Sequence, residues 1–88
     1  MADDKEIALR IEQITKQMDS VLSDTSVPKN VRSAVSDARK KLNENADRVM
    51  RVSAAIYHID EVSNDINLPP HARTMLWNIL NLLESIKD

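Results

Sequence analysis

The sequence predicts an all-α protein: a four-helix bundle built from two αα-hairpin repeats. Three observations carry that prediction. Apolar residues recur at helical spacing, as in Ile7, Ile11, Ile14, Met18 and Val21, where steps of four and three line one face of a helix. Glycine is absent, whereas average usage of ~7% would place roughly six in such a chain. With glycine go the tight turns that need positive φ and the glycine-rich phosphate loops. Residues 10–42 and 51–83 align without gaps at an offset of 41, with seven identities: Arg10/Arg51, Asp19/Asp60, Val21/Val62, Asp24/Asp65, Pro28/Pro69, Arg32/Arg73 and Leu42/Leu83.

Each copy reads as helix, proline-marked break, helix. One hairpin spans about residues 4–43 and the other about 46–87, together forming a single domain. Helix 1 starts after Asp3 or Asp4, with Asp3 and Glu6 placed as a capping box, and runs to about Ser23. Pro28 fits the first position of helix 2 because it has no N–H to lose, and it pushes Val27 towards an extended conformation. Ser26 or Asp24 is placed to accept the orphan N–H groups of that helix. Helix 2 turns Val31, Val35, Ala38 and Leu42 inward. The stretch Leu42–Ala46 is a weaker break, holding neither Pro nor Gly, and one long helix from 28 to 65 is the alternative. With the break, Asn45 caps helix 3, whose inward set is Val49, Val52, Ile56, Ile59 and Val62. Asp65–Pro70 repeats the first break. Helix 4 runs from about Pro69 to Ile86 and buries Ala72, Leu76, Ile79, Leu83 and Ile86. A period of 41 also suits two stacked HEAT-like repeats, but a solenoid normally needs more units than two. Closing the hairpins face to face hides both apolar stripes within one chain.

Composition narrows the function classes. There is no cysteine, hence no disulfide and no thiolate metal site. The N-terminus, Met-Ala-Asp-Asp-Lys-Glu, lacks the apolar core of a signal peptide. The longest uncharged stretch, Thr74–Leu83, falls short of the ~20 residues that span a bilayer. The expectation is a soluble, cytoplasmic protein without a membrane segment. Net charge is −2, distributed unevenly: residues 29–51 carry seven basic groups against three acidic, while both flanks are acidic.

The two breaks share the pattern Asp24-x-x-Val-Pro-x-x-Val-Arg32 and Asp65-x-x-Leu-Pro-x-x-Ala-Arg73. In this pattern, and across nearly its whole length, the chain resembles an uncharacterised family of small archaeal all-helical proteins. The resemblance implies a four-helix bundle and no assigned activity.

Four readings of the polar residues follow. Arg32 and Arg73 lie in the first turns of helices 2 and 4, where a cation opposes the helix dipole. Structural ion pairs of Asp24 with Arg32 and of Asp65 with Arg73 are therefore expected, with Asp19 and Asp60 as other partners. A metal site is not expected: His58, Asp60, Glu61 and His71 are the only cluster of ligand types, and His58 and Asp60, two apart, face different ways on a helix. No cofactor motif and no nucleophile turn is present, so no catalytic residue is assigned. Lys29, Arg32, Arg39, Lys40, Lys41, Arg48 and Arg51 suit phosphate contacts, which makes an RNA- or ribonucleoprotein-associated protein the second functional reading.

The first reading comes from comparing the halves. Ser36 and Arg39 become Trp77 and Leu80, Lys41 becomes Leu82, and Lys16 becomes Tyr57. Trp and Tyr are favoured interface anchors. The chain is accordingly expected to be a non-catalytic interaction module, a homo-oligomer or the binder of a protein partner, using Tyr57, Trp77, Leu80 and Leu82.

Overall fold

The computed structural model describes residues 3–87. Its four helices are α1 (Asp4–Leu22), α2 (Lys29–Leu42), α3 (Arg48–Val62) and α4 (Pro70–Ile86). The Asp3 side chain accepts a 2.8 Å hydrogen bond from the Glu6 N–H, so the expected cap of α1 forms. Helices 2 and 3 are separate, and the continuous helix is not adopted. The other caps differ from expectation. Pro28 and Pro69 occupy the N-cap positions of α2 and α4, neither with a side-chain cap. Asp47, rather than Asn45, precedes α3.

Each helix packs on two neighbours. α1 lies against α2 and α4, and α3 lies against α2 and α4, while the diagonal pairs do not meet among the described residues. Stacked HEAT-like units set equivalent helices side by side, which here means α1 on α3 and α2 on α4. The observed pairing is that of a four-helix bundle. The 19 × 19 Å cross-section suits a two-by-two array of helices spaced ~8–10 Å apart. Among the described residues no helix is long and apolar enough to cross a membrane.

The inward stripes of α1, α2 and α4 are buried as the spacing predicts. In α3 the buried set is Val52, Ala55 and Ile59. Val49 is 41% exposed, and Ile56 and Val62 are only partly buried against the core. A stripe chosen by apolar size passes over Ala55, and counting Ala55 rotates the α3 core face towards α2. Buried positions then correspond at an offset of 41: Ile11 with Val52, Ile14 with Ala55, Met18 with Ile59, Val35 with Leu76 and Ala38 with Ile79.

The two breaks are also built alike. Asp24 N–H donates to the Val21 carbonyl and Val27 N–H to the Asp24 carbonyl; Asp65 and Leu68 repeat these bonds to Val62 and Asp65, all at 3.1 Å. No described residue has a positive φ, so the left-handed caps that usually satisfy the last helical carbonyls are absent. Side chains supplement the backbone donors at these ends. Arg51 Nη1 donates to the Leu42 carbonyl at 3.1 Å, Asn43 Nδ2 to that of Arg39 at 2.9 Å, and Ser23 Oγ to that of Asp19 at 2.9 Å.

One packing difference separates the halves. α2 and α3 share a more extensive backbone contact than α1 and α4. Ala38 and Ala55 are wholly buried on α2 and α3, whereas the positions 41 away hold Ile79 and Ile14 on α4 and α1. The more extensive contact thus goes with buried alanines on its two helices, and the lesser one with buried isoleucines. Ala38→Ile should therefore overpack the α2–α3 pair, at a cost of about 1–3 kcal/mol. Ile79→Ala should open a cavity costing about 2–5 kcal/mol. Denaturant melts of the two variants check both, and a neutral Ala38→Ile would show that the helices are not in tight contact.

Candidate functional site

The breaks marked by Pro28 and by Pro69 lie at one end of the bundle, and there the shared geometry of the two turns leaves one carboxylate oxygen of each free to reach across. Asp24 Oδ1 accepts the Ser26 N–H at 2.9 Å, and Asp65 Oδ1 accepts the Asn67 N–H at 2.8 Å. Asp24 Oδ2 lies 2.7 Å from His71 Nε2 on α4, and Asp65 Oδ2 accepts from Asn30 Nδ2 on α2 at 2.9 Å. Asn30 and His71 are themselves 41 apart. Each hairpin thus holds the break of the other.

This clasp displaces the expected ion pairs. Arg32 Nε donates to the Val27 carbonyl at 3.2 Å and Arg73 Nη2 to the Asp65 carbonyl at 3.4 Å. Neither guanidinium pairs with Asp24 or Asp65. The carboxylates are occupied by their own turns and by the opposite helix, while each arginine finds backbone carbonyls of its break within reach. Asp19 pairs instead with Arg39, at 2.7 Å. The hydroxyl of Ser26 and the His71 bond, followed by the Ser26 N–H, hold Asp24 at about 2, against an ordinary 3.8. Asp65 is lowered by Asn30 and by the Asn67 N–H.

Ser26, His71 and Asp24 bring a hydroxyl, an imidazole and a carboxylate together, a convergence not anticipated from the sequence. A catalytic relay places the carboxylate on one ring nitrogen and the hydroxyl on the other. Here both oxygens meet Nε2, at 2.7 and 3.4 Å, and Ser26 Oγ donates directly to Asp24. An ionised carboxylate only accepts, so Nε2 carries the proton and is unavailable as a base towards Ser26. His58 lies edge-on to Tyr57, with ring centroids 5.7 Å apart. Among the described residues no three His, Asp or Glu side chains gather as a metal site would require.

Of the expected interface residues, Tyr57 is 63% and Trp77 50% exposed, while Leu80 and Leu82 are partly buried against the core. Met50 is 67% exposed and lies seven residues before Tyr57, on the same side of α3. That spacing was readable in the sequence. Leu9, 41 residues before Met50, is exposed as well, so Met50 extends the apolar face without being particular to the second half.

The basic segment is largely engaged. Arg32 and Arg51 are turned to backbone carbonyls, Arg39 to Asp19 and Lys41 to Glu44 at 3.6 Å. Lys29 and Lys40 remain exposed. Arg39, Arg48 and Arg51 border a cleft of about 650 Å³ along α1, floored by Ile7 and Ile11. The Nε atoms of Arg48 and Arg51 are buried there without a hydrogen-bond partner.

Two outcomes follow from this end of the molecule. Asp24 is more acidic in the folded chain than in the unfolded one, so its contribution to stability is complete above about pH 4 and is lost as pH falls towards 2. Asp24→Asn should therefore flatten the acid limb of a stability–pH profile between those values. Arg73→Ala should destabilise the fold by more than the ~0.5 kcal/mol of an ordinary surface change, read from urea melts.

Residues 1–86 match the family described as Uncharacterised protein family (UPF0147). The UPF0147 protein of Methanocaldococcus jannaschii is 39% identical over 75 residues, covering 84% of this chain and 81% of that one. Its counterpart in Methanothermobacter thermautotrophicus is 40% identical over 77 residues, covering 86% and 76%. The crystal structure of MMP1188, a protein of unknown function, superposes with a TM-score of 0.88 at 35% identity, covering 99% of this chain and 100% of the other. A UPF0147 protein from Thermoplasma acidophilum gives 0.84 at 32% identity, covering 90% and 94%. With a whole-length family match, archaeal relatives and the same four-helix fold, the chain belongs to the uncharacterised family UPF0147.

Proposed function

We propose that this protein is a non-catalytic helical interaction module that pairs with a second copy of itself through the outer face of α3 and α4. The observation that carries the reading is the exposure of Tyr57 and Trp77 at positions whose counterparts 41 residues earlier are Lys16 and Ser36. Val49, also exposed, replaces Ala8 in the same comparison. Two large aromatic side chains left in water forfeit the stabilisation that burial of their apolar area supplies. At an interface they become its main anchors. A two-fold homodimer supplies the same patch from both sides, and it adds core to a chain too short to bury a large share of its own surface. In this reading the two hairpins are copies of one unit, the later of which has exchanged a solvated face for a contact face. The Ser26–His71–Asp24 cluster serves the clasp between the breaks.

Sedimentation at micromolar concentration should show a species of twice the 10.0 kDa chain mass. Tyr57→Lys with Trp77→Ser restores the residue types of the first half and should return the monomer, with thermal stability measured under monomeric conditions unchanged within ~0.5 kcal/mol. A parent protein that sediments as a single chain would falsify self-association. An added RNA oligonucleotide that shifts the parent in a salt-dependent way would instead favour the basic segment as the functional surface.

A further inference from the structure

We propose that the cleft between α1 and the α2–α3 corner binds a small amphipathic anion, its carboxylate or phosphate group held by Arg48 and Arg51 and its apolar body lying on Ile7 and Ile11. The cleft, at about 650 Å³, falls in the ~300–1,000 Å³ range of small-molecule sites. Ile7 and Ile11 are each 8% exposed at its floor, which makes them the most accessible members of the α1 core stripe.

The charges around the cleft do not balance locally. Lys16 pairs with Glu12 at 3.7 Å and Arg39 with Asp19 at 2.7 Å. Arg48 and Arg51 are left, with Asp4 as the remaining carboxylate of the lining, and neither arginine forms an ion pair with it. Arg51 spends Nη1 on the Leu42 carbonyl, and the Arg48 side chain makes no hydrogen bond among the described residues. Both Nε atoms are buried and unpartnered, a state that is costly for a donor.

A second, independent feature points the same way. α3 begins at Arg48; Asp47 stands at its N-cap position without making a side-chain cap, and no acidic residue lies in the first turn. Arg48 and Arg51 thus bring two cations to the positive end of a helix dipole where Asp47 supplies a single carboxylate, and a further anion is favoured there. A guanidinium offers N–H donors to a carboxylate or phosphate as charge-assisted contacts. Arg73 has the same buried, unpartnered Nε but does not line the cleft, so it serves as an internal control.

The test is a titration of isotope-labelled protein, followed by amide chemical shifts, with octanoate, octyl phosphate and inorganic phosphate as probes. Saturable shifts at Ile7, Ile11, Arg48 and Arg51 are expected with both octyl probes. Inorganic phosphate, lacking the apolar body, should bind at least about tenfold more weakly, as expected for several lost methylenes. Arg48→Gln should weaken octyl phosphate by about tenfold or more, as loss of a charge-assisted contact predicts, and Arg73→Gln should leave it unchanged. Should Arg48→Gln not fold, Ala8→Trp decides: Ala8 is exposed and lines the cleft, and an indole there should block the probe. Absence of saturation up to about 10 mM, equal binding by inorganic phosphate, or undiminished binding in Ala8→Trp overturns the proposal. So do shifts confined to the Tyr57–Trp77 face.

Discussion

Burial of two apolar stripes against each other is the constraint on which the structure depends. Each hairpin carries an apolar stripe along its inner side, and neither can bury that stripe alone. The stripes meet because α2 packs on α3 and α4 returns to α1, closing a ring around one core. The prolines make this closure possible by stopping the helices at equivalent places. The reciprocal clasp of Asp24 with His71 and Asp65 with Asn30 then ties the two breaks where the hairpins turn. These bonds are exposed, so their value is geometric: they set how one hairpin sits on the other, while the core supplies most of the stability.

Absence of glycine shapes the rest of the molecule. A helix that ends without a left-handed residue leaves carbonyls to be satisfied by other groups. In this chain Arg51 performs that work for α2 by holding the Leu42 carbonyl, while Arg32 and Arg73 hold carbonyls of the turns that precede α2 and α4. Of the basic segment, Arg32 and Arg51 are committed to backbone carbonyls, and Arg39 and Lys41 to carboxylates. Arg48 lies beside the cleft along α1 with its Nε unpartnered.

The halves share a plan and differ in use. α2 and α3 bury alanines at positions where α4 and α1 bury isoleucines, and the two corresponding helix pairs differ in extent of contact. On the outside, the first hairpin pairs its charges along α1 and α2, whereas the second presents Tyr57 and Trp77. Surface chemistry on the two sides is therefore distinct, and the apolar face and the arginine-lined cleft are separate features of one small fold.

Fold class, helix number, the breaks and three of the four buried stripes were legible in the residues, because apolar periodicity and proline act locally and each leaves its mark within a turn or two of chain. The α3 stripe was misjudged where alanine, small and inconspicuous, takes the core position beside α2. The partners of Asp24, Asp65, Arg32 and Arg73 were beyond local reasoning: a first-turn arginine and a nearby aspartate look like a pair until a residue 47 positions away, His71 for Asp24, claims the carboxylate. The cleft likewise exists only once α1 is laid against the corner of α2 and α3. Periodicity decides which side of a helix is buried; which polar groups meet is decided by closure of the ring, since that brings together atoms that chain proximity never would.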